Sequence, residues 1–241
     1  MKVIVTKNYD EMSEKAFEIV KEVVVNNKTA VLGLATGSTP LGLYAEMIKD
    51  HKENGTSYKD VKTLNLDEYA GLGITSDQSY VYFMRENLFK HIDIDLNNTH
   101  IENGKAVNRE LECENYNKLI EELPRDLQIL GIGSNGHIAF NEPGTAFDSE
   151  THIVDLTEST IKDNSRLFER IEDVPRQAFT MGLKNIMHAK KIVVLASGAN
   201  KAKAVYGMLK GPVTEALPAS VLQLHPDCIL IVDEAAYSLM K

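Results

Sequence analysis

A doubly wound α/β fold on a mostly parallel sheet follows from three features of the sequence. Short β-branched runs alternate with amphipathic helical stretches along all 241 residues. The runs at 192–196 and 228–232 are apolar at every position, the mark of strands covered on both faces. No repeat, low-complexity tract or Pro/Gly/Ser linker interrupts this alternation, so 1–241 reads as a single domain.

Each element has its own warrant. Residues 2–6 form the first strand. Asn8 and Glu11 then offer a capping-box-like start to a helix on which Tyr9, Met12, Ala16, Val20, Val23 and Val24 keep helical spacing. A second strand, 29–34, runs through Ala35, Thr36, Gly37, Ser38, Thr39 and Pro40 into a helix ending near Asn54. Further strands are predicted at 61–66, 127–131, 192–197 and 229–232, and helices at 78–89, 108–123 and 200–209. The polar segment 141–180, holding Gly144 and Pro175, is long enough to cap a site at the carboxyl ends of the strands.

Composition narrows the range of partners. Hydrophobic residues make up 43% and charged residues 25%, as in an ordinary globular chain. With 26 basic against 35 acidic residues the net charge is -9, which disfavours nucleic acid and anionic membrane surfaces. An anionic small molecule would need a locally positive pocket. Cys113 and Cys228 stand far apart, with neither zinc spacing nor a disulfide framework, and the N-terminus lacks a signal peptide's apolar core. A cytoplasmic protein is expected. The longest apolar runs have five residues, far short of a membrane span.

Three segments carry groups suited to chemistry. Thr36, Gly37, Ser38 and Thr39 join a strand to a helix, where backbone N–H groups and the positive helix end suit a phosphate. An ordinary N-cap has the same appearance, and the Walker Gly-Lys-Ser/Thr is missing. Next, Asp67 and Glu68 emerge at the end of a buried strand, where one could be shielded and positioned as a base, although acids also cap helices. The sharpest segment is 130–143. A strand enters a turn with Gly131, Gly133 and Gly136, which presents His137, and Glu142 follows five residues on. A neutral histidine moves protons to and from sugar oxygens, and a carboxylate on its second nitrogen would fix the tautomer. Arg166, in the polar segment, and Lys201, opening a helix after a strand, are candidate phosphate ligands.

Taken in order, Leu66-Asp67-Glu68-Tyr69, the turn from Gly131 to Pro143, Asn164-Ser165-Arg166 and Leu222-Gln223-Leu224-His225-Pro226 resemble the glucosamine-6-phosphate deaminase family. The likeness extends from near the N-terminus to Glu234. It implies a Rossmann-like sheet with a helical lid over the strand C-terminal ends, a sugar-phosphate substrate, and neither metal nor cofactor. It also implies that Asp67 moves the C2 proton to C1, that His137 opens the ring, and that Glu142 orients and charges His137. Thr36, Gly37, Ser38, Arg166 and Lys201 would form the phosphate cradle.

Two departures matter. Many members of that family have Asp where this chain has Asn135, so a carboxylate role is impossible there and Asn135 is assigned an orienting role toward His137. The allosterically activated hexamers of the family carry basic residues where this chain has His152 and Val154, and they continue beyond the last strand, whereas this sequence stops at Lys241. The resemblance therefore implies an enzyme insensitive to N-acetylglucosamine 6-phosphate, monomeric or weakly associated. Two other readings stay open. A 6-phosphogluconolactonase shares the glycine turn and phosphate loop, and a sugar-phosphate sensor shares the fold but would need a DNA-binding module.

Overall fold

The continuous apolar runs are interior strands of a seven-stranded parallel sheet. The computed structural model describes residues 1–158, 161, 168 and 170–240. The first half of the chain contains β1 (Lys2–Thr6), α1 (Tyr9–Asn26), β2 (Val31–Leu34), α2 (Leu41–Asn54), β3 (Lys62–Asn65), β4 (Asp67–Tyr69), α3 (Tyr80–Asn87), β5 (Thr99–His100) and α4 (Arg109–Glu122). The second half adds β6 (Leu127–Gly131), β7 (His152–Asp155), β8 (Gln177–Thr180), α5 (Leu183–Met187), β9 (Ile192–Ala196), α6 (Ala202–Lys210) and β10 (Cys228–Asp233). The large sheet has the order β1-β10-β9-β6-β2-β3-β5, and every pairing in it is parallel.

Alternation along each strand builds two apolar layers. Leu32, Leu34, Ile129, Val193, Leu195 and Ile231 face α1, α2 and α3, where Met12, Ala16, Val20, Leu43, Met47 and Met84 are buried. Leu130, Val194, Leu230 and Val232 face the opposite way, toward α4, α5 and α6. Full burial of each such side chain stabilises by roughly 1.5–3 kcal/mol, so both helical layers are firmly held. The ends of the helices are equally specified. The Asn8 side chain accepts from Glu11 N–H at 3.0 Å while Lys7 N–H donates to the Glu11 carboxylate at 2.8 Å. Asn108 caps α4 by accepting from Leu111 N–H at 3.0 Å.

Two expectations change in detail. The strand predicted at 61–66 is β3, and it is followed by an unpredicted strand, β4, which leaves the large sheet and pairs antiparallel with β8. Segment 141–180, expected as a helical lid, carries β7 and β8 in its described part, and these complete a second sheet of order β4-β8-β7. Ile161 N–H also donates to the Thr157 carbonyl there, at 2.9 Å. Tertiary pairing of three- and four-residue strands decides this region, and so short a period leaves little trace in sequence.

The order of strands has a functional consequence. The chain builds outward from β2 through β3 to β5, then returns to β6 and builds outward the other way. The loops that follow β2 and β6 therefore part and leave a crevice at the carboxyl edge. On the next strands Asp233, at the end of β10, fixes the β9–α6 loop: its carboxylate accepts from Ser197 Oγ at 2.6 Å, Gly198 N–H at 3.0 Å and Ala236 N–H at 2.7 Å. Asp233→Ala strands these donors, of which Ala236 N–H is buried and the other two half-buried. The expected loss is roughly 2–3 kcal/mol, to be read as a lower urea midpoint with an unchanged slope.

Candidate active site

A cavity of about 280 Å³ opens in this crevice, and apart from Tyr80 its wall comes from segments at the carboxyl ends of strands. Ala35, Thr36, Gly37, Ser38 and Thr39 come from the β2–α2 loop, Leu66 and Asp67 from the β3–β4 junction, and Tyr80 from the start of α3. Gly131 to Ser134, His137, Ala139 and Phe140 follow β6, and Lys201 follows β9. Thus four strands that are neighbours in the sheet, β9, β6, β2 and β3, deliver one set of side chains to one place.

The anion-binding end is built mainly from backbone. Gly37 has φ 91°, a left-handed conformation that turns the loop before α2. The N-cap of α2 is Pro40, which makes no side-chain capping bond, and the first turn of α2 carries no acid. Its positive end is therefore left to an anion. Two tyrosines brace this loop: Tyr9 Oη donates to the Ser38 carbonyl at 3.0 Å and accepts from Gly42 N–H at 2.7 Å, and Tyr44 Oη donates to the Ala35 carbonyl at 2.6 Å. Lys201, on the turn Ala199–Lys201, supplies a cation in a chain of net charge -9. Arg166, the other predicted cation, lies outside the described residues.

His137 stands on the glycine-rich turn after β6. A Cβ at position 133 would lie 2.3 Å from the His137 ring, so glycine there is what lets the imidazole fold back against the turn. Glu142 Oε1 is 3.6 Å from His137 Nδ1, and Glu142 Oε2 accepts from Asn135 Nδ2 at 2.7 Å. The Asn135 carbonyl oxygen accepts from His137 backbone N–H at 3.1 Å. Asn135 thus contacts His137 at its backbone N–H. Neither Asn135 nor Glu142 lines the cavity. They stand behind His137.

The two acids of β4 take different roles because neighbours on a strand face opposite ways. Glu68 is 1% exposed and turns to the amino end of α3, accepting from Tyr69, Tyr80 and Val81 N–H at 2.8, 2.9 and 2.9 Å. Asp67 is 7% exposed, lines the cavity, and has no hydrogen-bond or ion-pair partner among the described residues. Burial, with the negative charge of Glu68 adding to it, pushes the Asp67 carboxyl up to about 8.

Sequence reasoning missed the aromatic wall. Tyr80 and Phe140 stack with centroids 6.2 Å apart, and Tyr69 sits 4.8 Å from Tyr80 behind them. Ser79 before the helix marks its start, but nothing in the linear sequence aims α3 at β4. Ala139 was also passed over. It lines the cavity with φ 53°, an unusual conformation for a residue with a side chain.

Residues 6–230 match the family described as glucosamine-6-phosphate isomerases/6-phosphogluconolactonase. The chain belongs to this family. A glucosamine-6-phosphate deaminase of Clostridium perfringens is 53% identical over 242 residues, covering 100% of both chains. One from Clostridioides difficile is 52% identical, over 99% of this chain and 96% of its own. A solved monomeric glucosamine-6-phosphate deaminase superposes with a TM-score of 0.97 at 44% identity, covering 99% of this chain and 100% of that one. The 6-phosphogluconolactonase of Trypanosoma brucei shares the fold, with a TM-score of 0.78 at 19% identity over 100% of this chain and 98% of its own.

In this member of the glucosamine-6-phosphate isomerase/6-phosphogluconolactonase family the site is held at a cost in stability. The folded Asp67 carboxyl titrates near 8 against an ordinary 3.8. Between those values the folded state binds the extra proton, so stability is highest below the window and declines as pH rises through it. Asp67→Asn removes this dependence. Thermal denaturation at pH 5 and pH 9 should show the variant losing less stability than the wild type over that interval, by at least ~1.4 kcal/mol.

Proposed function

We propose that this protein converts glucosamine 6-phosphate and water to fructose 6-phosphate and ammonia, an aldose–ketose isomerisation followed by hydrolytic deamination in amino-sugar breakdown. The observation that carries this reading is the shared cavity: a buried carboxyl with no partner among the described residues, an imidazole and an anion cradle face one another across about 280 Å³. Deaminases at 53% and 52% identity over essentially the whole chain support it.

The chemistry follows from the roles of these groups. The phosphate rests on the 36–38 backbone, the Thr36 and Ser38 hydroxyls and Lys201, with Arg166 as a further ligand. His137 takes the proton of the anomeric hydroxyl and returns one to the ring oxygen, which opens the pyranose to a C1 aldehyde. That carbonyl acidifies the C2 proton. Asp67 removes it to give an enolamine and delivers it to C1, leaving an imine at C2. Water adds to the imine, and ammonia departs with the ketose phosphate. An ordinary carboxylate would be a weak base for this step, and desolvation makes Asp67 a stronger one. Glu142 and Asn135 hold His137 in register.

Further parts of the reading concern the state of the protein. It works in the cytosol as a monomer, without activation by N-acetylglucosamine 6-phosphate. Segment 141–180 acts as a lid on one domain spanning 1–241. No helix among the described residues is long and apolar enough to cross a membrane.

Ammonia release from glucosamine 6-phosphate tests the reaction. Asp67→Asn and His137→Gln should each lower kcat by about 10²–10⁴-fold while the variants stay folded. Full ammonia release by Asp67→Asn would sink the proton-abstraction role, and no release by the wild type would favour lactone hydrolysis, which needs no C–H base. Sizing chromatography with an activity titration tests the regulatory claim. We expect a monomer whose rate does not change with added N-acetylglucosamine 6-phosphate, and a hexamer or a clear activation would refute that.

A further inference from the structure

Asp67 belongs to a group of three buried carboxyls that includes Glu68 and Glu102, each of the latter two 1% exposed. None of the three forms an ion pair among the described residues. They differ in what they can donate to or accept from. Glu102 has no partner outside its own backbone among the described residues. Asp67 has none among the described residues. Glu68 alone is ringed by donors, three backbone N–H groups, two of which belong to the first turn of α3.

We propose that Glu68 is a positioning residue: its carboxylate ties β4, which carries Asp67, to α3, which carries Tyr80, and keeps a fixed negative charge behind the general base. The proposal rests on the deaminase reading for the identity of that base. Hydrogen bonds from N–H groups and a helix amino end favour the charged form of an acid, whereas burial without donors favours the neutral form. Burial raises the Glu68 carboxyl above its ordinary range, and its three donors pull it back. Glu102, with no partner outside its own backbone, is pushed well above and held neutral. Asp67 lies between these extremes, open to substrate on its cavity side.

The other groups around Asp67 do not supply this charge. Tyr44 from α2, Tyr80 from α3, Tyr116 from α4 and Tyr69 on β4 are all raised by burial and stay neutral. Across the cavity stand His137 and Lys201, neither of which can supply negative charge. Glu68 is therefore the group whose negative charge makes Asp67 hold its proton more tightly. The same three hydrogen bonds set the first turn of α3, and with it the Tyr80 face of the cavity. One carboxylate thus serves both base strength and cavity shape.

The test is to titrate the Asp67 carboxyl by carbon-detected NMR in the substrate-free protein, beside the pH profile of kcat/KM, for wild type and Glu68→Gln. The wild-type midpoint is expected near 8. In Glu68→Gln it should fall by about one unit or more, the acid limb of kcat/KM should follow, and kcat should drop at least ~10-fold with KM little changed. An unmoved midpoint would overturn the proposal. Two controls isolate the effect. Ser79→Ala weakens the other cap of α3 and Glu102→Gln replaces a neutral acid with a neutral amide, so neither should move the midpoint. A shift in either as large as that in Glu68→Gln would also overturn it. If Glu68→Gln does not fold, Glu68→Asp keeps the charge but shortens the tether. Its midpoint should stay near the wild-type value while kcat falls, and an unchanged kcat would count against the positioning role. A wild type that releases no ammonia would remove the deaminase reading, while the substrate-free titration would still decide the role of Glu68.

Discussion

The site depends on the reversal of strand order between β2 and β6. Parallel strands send all their carboxyl ends to one edge, and the helices that follow cover one face or the other. Here α1, α2 and α3 lie on one face and α4, α5 and α6 on the other. The loops after β2 and β6 must therefore part, and the gap between them is the cavity. Since β3 flanks β2 and β9 flanks β6, Asp67 and Lys201 enter that gap from either side. A fold with strands wound in only one direction would bring the same residues to an edge without separating them.

The gap alone would be a wet groove. What turns it into a site that can raise the basicity of a carboxylate is the small antiparallel sheet β4-β8-β7. By leaving the large sheet after Asn65, the chain carries Asp67 under β8, where Met181 N–H donates to the Leu66 carbonyl at 2.7 Å. The aromatic cluster of Tyr69, Tyr80 and Phe140 then closes one side. Desolvation and proximity to Glu68 follow from that placement rather than from any unusual residue. The acids concentrated there work against folding at neutral pH. Such opposition between local stability and chemistry is expected at a functional site, and the two apolar layers of the large sheet offset it.

Much of this was legible in the sequence, for physical reasons that differ by element. Strands β9 and β10 are apolar at five consecutive positions because both faces are covered, and a signal of that strength survives without an alignment. The glycine spacing around His137 was legible because only glycine admits the ring against the turn. The choice between Asp67 and Glu68 was not, since it depends on which face of a three-residue strand meets solvent and which meets α3. Strands β7 and β8 were equally hidden. Each is an apolar pair between two polar residues, too few to establish a period, and β8, which joins β7 to the small sheet, pairs with β4 more than one hundred residues away.

The asparagine at 135 shows how a departure from a family pattern can be read from geometry. An aspartate there could accept from the His137 backbone N–H, but when ionised it could not donate to Glu142, and two carboxylates at hydrogen-bonding distance would repel. Asn135 does both: its oxygen faces His137 N–H and its nitrogen faces Glu142. Glu142 is thereby left as the one anion of this trio, 3.6 Å from the imidazole. In the proposed ring opening a proton taken by His137 would be stabilised by that single carboxylate, which the neutral amide holds in place. On that proposal the asparagine preserves the charge relation that ring opening needs and concentrates it on Glu142.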